Sequence, residues 1–196
     1  MITNKRNVSD QESQIMPTEN SAMLDNRGYR QVRRIVTGET AEGRSVFLSD
    51  GPTPNVTAPA HSPLVAQVVW ATGKGAAPGV DPAPAGHTFG FHSEGGSILR
   101  IVDFPPDDQY DIGAMTVMLD NNNVRDTMAP RHFWFHKTPS LDYAIVLEGE
   151  IYAMLDEGEK LMTAGDVLIQ RATNHSWSNR SSKLCRMAFV LLANPE

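Results

Sequence analysis

The second half of the chain is punctuated at short, regular intervals, and that rhythm restricts the fold more than any other feature. Apolar or β-branched runs lie at Met115–Leu119, His132–Thr138, Tyr143–Glu148, Glu150–Leu155, Lys160–Thr163, Asp166–Gln170, Ser176–Asn179 and Leu184–Leu192. Between several of them stand tight turns such as Glu148-Gly149-Glu150, Asp156-Glu157-Gly158-Glu159 and Ala164-Gly165-Asp166. Many short strands separated by such turns form an antiparallel barrel or sandwich. In the last run Cys185, Met187, Phe189 and Leu191 share one face, and Leu184, Ala188, Val190 and Leu192 share the other. Successive strand residues face opposite ways, so a run that is apolar on both faces is a central strand.

Upstream, Arg30–Thr37 and Ser45–Leu48 flank the turn-forming stretch Gly38–Gly43 and predict a hairpin. Asp50-Gly51-Pro52 and Pro54 then break regularity, Leu64–Ala71 and Ser97–Phe104 read as strands, and Gly73–Gly90 reads as a long Gly/Pro/Ala loop. Pro105-Pro106 stops the run that precedes it. Residues 1–28 are rich in Asn, Ser, Gln and Glu with no sustained apolar period, which predicts a flexible tail. The expected division is therefore a tail at 1–28, a β-rich extension at 29–103 packed on the barrel, and a barrel at 104–196.

The chain has 196 residues, with 17 Lys plus Arg against 23 Asp plus Glu, a net charge of −6. That balance argues against a general polyanion binder, and no helix-turn-helix pattern is present, so no nucleic-acid partner is expected. A single cysteine, Cys185, excludes an internal disulfide framework and a cysteine-based zinc cluster. No apolar run is long enough for a membrane helix, and no apolar segment follows Lys5-Arg6 as a secretion signal would need, so a cytoplasmic location is expected.

Two segments carry the chemistry: 136–149, running from His136 through Asp142 to Gly149, and 165–179, running from Gly165 through His175 to Asn179. Together they resemble the paired motifs of the cupins, small double-stranded β-helix or jelly-roll barrels. The resemblance covers about Ile98–Ala193 and implies an all-β cupin barrel with an N-terminal β extension. It places His136 at the first motif's leading histidine, Asp142 at its glutamate, His175 at the second motif's histidine and Asn179 at its closing asparagine. Thr138 stands where the family has another histidine, Pro130 replaces a glycine, Arg171 and Thr173 replace a proline and a glycine, and the loop before His175 is one residue shorter.

In the family these positions hold iron, manganese, nickel or zinc, which leaves His136, Asp142 and His175 as the metal candidates here. His132 shares the parity of His136, but four residues along a straight strand is about 13 Å, too far for one metal. A metal-free reading uses the same three residues as acid, base and orienting group, since imidazoles exchange protons near neutral pH. His132, Trp134, Thr138, Gln170 and Arg171 are candidate pocket residues. Gln170 and Arg171 are neighbours on one strand, so at most one faces inward.

Gly73-Lys74-Gly75 lacks the hydroxyl and spacing of a phosphate loop. His61, His87 and His92 sit among Gly and Pro and are expected in solvent, as is the turn containing Asp107, Asp108 and Asp111. The expected function is a small-molecule enzyme working by proton transfer in the barrel (a lyase, decarboxylase, isomerase or cyclase), with any divalent metal as a Lewis acid. The alternatives are a non-catalytic small-ligand binder, a metal-dependent dioxygenase, or a structural protein with a filled interior. An exposed jelly-roll edge is a liability that pairing removes, so a homodimer is expected.

Overall fold

The structure is a computed structural model, and it describes residues 29–58, 63–73, 81, 83–87, 89–91, 95–127 and 131–193. The tail, His61, Lys74-Gly75, His92 and Pro130 lie outside the described residues.

The N-terminal hairpin pairs β1 (Arg33–Glu39) with β2 (Ser45–Pro52). The strand β2 runs two residues past Asp50, so Gly51 and Pro52 do not break it; Pro52 is its last residue, where a missing N–H is tolerated. Then follow β3 (Asn55–Thr57), β4 (Val65–Thr72) and β5 (Ser97–Phe104). A helix α1 (Ile112–Asn121) precedes β6 (Leu141–Glu148), β7 (Glu150–Leu155), β8 (Glu159–Thr163), β9 (Val167–Arg171), β10 (His175–Ser178) and β11 (Cys185–Leu192).

Two sheets face each other, one of six strands in the order β3-β4-β5-β11-β6-β9 and one of three in the order β10-β7-β8. From β6 onward the chain crosses repeatedly between them, which is the winding of a double-stranded β-helix. Alternation along β11 buries Cys185, Met187, Phe189 and Leu191 between the sheets, with β5 on one side of the strand and β6 on the other. Trp177 of β10 meets Phe189 edge-on at 5.6 Å and so ties the two sheets together. Burying each such aromatic side chain contributes about 1.5–3 kcal/mol relative to exposure.

The extension joins a sheet of its own chain: β4 pairs with β5, and β5 pairs along its length with β11. Gln67, 1% exposed, accepts from the Val32 amide at 2.8 Å and donates to the Arg30 carbonyl at 2.9 Å. That one side chain satisfies two backbone groups and pins the entry segment to the outer face of the sheet.

Two expected strands are absent. Residues 115–119 lie in α1, where the Asp111 side chain caps the N-terminus by accepting from the Ala114 amide at 3.1 Å. Met115 and Leu119, one turn apart, are its buried residues; the same apolar letters satisfy a helical and an alternating period. Residues 132–138 form no strand: a bend and turn lead to two isolated bridges at His136, to Arg125 and to His175. Gly149, at the β6–β7 turn, has φ +78°, and a Cβ there would lie 2.7 Å from the Leu184 carbonyl oxygen. Gly149→Ala is therefore expected to lower stability by about 1–3 kcal/mol, read by denaturant midpoint.

Candidate functional site

His136 and His175 are brought opposite each other by the backbone. The His136 amide donates to the His175 carbonyl at 2.9 Å and the reverse bond is 3.0 Å, a narrow antiparallel pair. Directly opposed residues project to the same side, and the two ring centroids are 4.3 Å apart.

Each ring is then oriented in the same way. His136 Nδ1 donates to the Trp134 carbonyl at 2.6 Å, and His175 Nδ1 donates to the Thr173 carbonyl at 3.0 Å. A carbonyl only accepts, so the proton of each neutral imidazole sits on Nδ1 and its lone pair is on Nε2. Burial pushes the pKa of His136 down to about 3, the neighbouring His175 adding to the effect and the Trp134 carbonyl opposing it. Burial likewise pushes His175 down to about 4, with the Thr173 carbonyl opposing. Both rings are neutral at pH 7.

They line a cavity of about 310 Å³ between the sheets. Its wall includes Phe89, Phe91, Phe104, Trp134, Trp177 and Phe189. Phe91 meets the His136 ring edge-on at 5.2 Å, and Trp177 meets the His175 ring at 5.9 Å. An open chamber of this size is not the filled interior of a structural barrel.

Of the residues singled out in the sequence, His136, His175, Asp142, Trp134, Thr138 and Gln170 all line this chamber. Asp142 is 5% exposed and shares the inward parity of Ala144 and Val146 on β6. The Gln170 amide nitrogen donates to the Thr173 carbonyl at 2.9 Å and also to the Thr173 hydroxyl. Arg171, its neighbour on β9, is exposed on the opposite face and is no pocket residue.

His132 is not in the chamber either. It lies in a turn, so strand parity does not apply to it. Its Nδ1 and the Ser176 hydroxyl are 2.7 Å apart, and its Nε2 and Asp107 Oδ2 are 3.2 Å apart. Asp107 also accepts from the Ser178 hydroxyl at 2.6 Å and the Asn179 amide at 2.9 Å, so it is an anchor and not a solvated turn residue. These bonds fasten the outer side of β10. Asn179 donates to the Phe104 and Lys183 carbonyls, a clamping role. Asp111 caps α1, and His87 is exposed as expected.

The donor set was tested against the metal that the family resemblance implies. Among the described residues, no group of three or more His, Cys, Asp or Glu side chains is placed to hold a metal ion. His136 and His175 form a two-imidazole pair, Asp142 shares their chamber without joining a metal-ligand group, and Thr138 supplies a hydroxyl where the family has a third imidazole. The expected three-ligand set of His136, Asp142 and His175 is thus not assembled. Cys185 offers no alternative ligand or nucleophile, since burial pushes its thiol up to about 12.

Sequence reasoning missed Arg100. On β5 it shares the inward parity of Ile98, Val102 and Phe104, and it lines the chamber. Its Nη2 donates to the Gly90 carbonyl at 2.5 Å. Burial lowers its pKa to about 10, with the charge of Asp142 opposing, so it remains a cation at neutral pH. The signal was a charged residue on the otherwise apolar face formed by Ile98, Val102 and Phe104.

No protein-family model matches the sequence. A cupin-domain-containing oxidoreductase of Aspergillus ruber is 31% identical over 173 residues, 84% of this chain and 74% of that protein. Another cupin-domain-containing oxidoreductase, from Hypocrea virens, is 30% identical over 202 aligned positions, 94% of this chain and 91% of that one. Phomopsin biosynthesis cluster protein C' of Diaporthe leptostromiformis is 41% identical over 105 residues. That match spans 53% of this chain and 43% of the relative, less than half of the latter's length. Among the described residues, no helix is long and apolar enough to cross a membrane.

Proposed function

Since this chain belongs to the cupin-domain-containing family, we propose that it is a small-molecule enzyme that moves a proton at a carbon next to a carbonyl. The observation that carries this reading is the pair of neutral imidazoles 4.3 Å apart, each with Nδ1 committed to a backbone carbonyl, in a chamber walled by aromatic rings. The biosynthesis-cluster name of one relative supports a place in secondary metabolism.

The substrate C–H bond breaks, its proton goes to Nε2 of one imidazole, and the electron pair moves onto the carbonyl oxygen as an enolate. The imidazolium so formed returns the proton at a second atom, the other imidazole relaying it where the two atoms are apart. The net change is an isomerisation and consumes no co-reactant. A ring with a low resting pKa is a weak base, but the negative charge growing on the substrate oxygen raises its proton affinity as the transfer proceeds. The aromatic wall makes the lining mainly apolar, which strengthens that coupling.

The test is deuterium uptake from D2O into 2-tetralone, a compact aromatic ketone with acidic α-hydrogens, followed by proton NMR. The wild-type chain is expected to speed exchange about 100-fold or more over buffer, and His175→Asn to remove nearly all of it. The rate stays flat from pH 8 to about 5, because neither ring titrates there. Exchange no faster than buffer overturns the reading.

The printed names of two relatives favour a second reading, oxidation of a substrate bound in the same chamber. That reaction needs an electron acceptor beyond the cavity side chains and predicts no solvent deuterium in the recovered ketone.

A further inference from the structure

On the proton-transfer reading, we infer that Arg100 is the carbonyl-polarising residue of the cavity and that the ligand is a neutral aromatic ketone or aldehyde, not a carboxylate. Three observations meet here. The six rings of the wall suit a flat aromatic body, which gains from edge and face contacts beyond its buried area. Arg100 is the cationic side chain among the described residues lining the chamber. A guanidinium has five N–H donors, Gly90 takes one, and the Nε–H has no hydrogen-bond partner among the described residues.

Charge then decides between ligand classes. Arg100 and Asp142 both line the chamber on inward-facing positions either side of β11: Arg100 is opposite Phe189, and Asp142 is opposite Leu191. With both imidazoles neutral, the guanidinium and the carboxylate cancel among the described lining residues. An anion entering this space meets Asp142 at close range and gains no net attraction for the hydration it gives up. A neutral carbonyl loses little hydration and accepts a charge-assisted hydrogen bond from Arg100. When the α-proton leaves, the same N–H donors face a developing oxyanion, which is where preorganised donors are worth most.

The experiment is a ladder of three probes of similar size, acetophenone, ethylbenzene and benzoate, titrated calorimetrically into the full chain at pH 7. Wild type is expected to bind acetophenone about tenfold more tightly than ethylbenzene, with benzoate weakest. In Arg100→Met the acetophenone advantage falls to within about twofold while ethylbenzene affinity is kept, and Arg100→Lys restores part of it. Asp142→Asn leaves the chamber net positive and raises benzoate affinity about tenfold. Isotope-edited infrared spectra of bound acetophenone show the carbonyl stretch displaced to lower frequency in wild type and not in Arg100→Met.

Benzoate binding more tightly than acetophenone in wild type, or an acetophenone advantage that survives Arg100→Met, overturns the inference. Should Arg100→Met fail to fold, the Lys and Asn variants and the infrared shift still decide it. The binding ladder involves no proton transfer, so failure of deuterium exchange alone and failure of the ladder alone point to different errors.

Discussion

Lowering the pH from 7 to about 5 is expected to remove about 4 kcal/mol of this protein's stability, at a limiting slope of roughly 2.7 kcal/mol per pH unit. The cause is the histidine pair. Burial holds His136 down to about 3 and His175 down to about 4, whereas in the unfolded chain both titrate near 6.5. Below pH 6.5 the unfolded state therefore binds protons that the folded state refuses. Stability is complete above that value and is lost as pH falls toward the folded pKa values. Each ring contributes about 1.4 kcal/mol per pH unit, and a domain of this size has only about 5–15 kcal/mol to lose. Urea midpoints between pH 7 and about 5 sample this window while staying above the unfolded values through which the lowered carboxylates Asp50, Asp81, Asp107 and Glu159 begin to lose their contribution. The double variant His136→Gln, His175→Asn should flatten the slope to a small residue. A wild-type slope below about 0.5 kcal/mol per pH unit would contradict neutral burial of the pair.

The second large effect belongs to Arg186. It lies on β11 with its side chain 8% exposed, against Asp103 of β5 at 3%. Its Nε and Nη2 donate to the two carboxylate oxygens at 2.5 Å each, and Nη2 also donates to the Arg30 carbonyl at 2.8 Å. Arg186→Met leaves a buried carboxylate with no counter-charge and removes one of the bonds that hold the entry segment. The expected loss is about 3–5 kcal/mol, a fall in Tm of roughly 6–20 °C for a chain of this length. Asp103→Leu combined with Arg186→Met should recover most of it, because an apolar pair carries no uncompensated charge. If Arg186→Met melts within a degree or two of wild type, the pair does not secure the extension.

The strands were legible where one period alone fits the letters. Ser97–Phe104 and Glu150–Leu155 have the bounds read from the sequence, and the parity of Cys185, Met187, Phe189 and Leu191 placed β11 at the centre of its sheet. The segment around Met115 was not legible, since Met115, Val117 and Leu119 alternate as well as they recur along a helix face; the Asp111 cap decides it. His132 was misplaced because parity was applied to residues that form a turn.

The site divides in the same way. His136, Asp142 and His175 were found through the resemblance to the cupin motifs, and the fold brings all three to one chamber. Spacing says nothing about distances across the barrel, so the missing metal-ligand group could not be foreseen. Arg100 and the aromatic wall arise from strands far apart in sequence, β5 and β11 among them, and from Phe89 and Phe91 in the loop before β5. Only the sheet order assembles them.

The most direct measurement is nitrogen-15 NMR of the imidazole side chains of His136 and His175, followed from pH 8 to 5. The account predicts that both rings stay neutral throughout, protonated at Nδ1 with the lone pair on Nε2. A ring that titrates near 6.5, or that holds its proton on Nε2, would contradict a pair of proton acceptors facing the chamber.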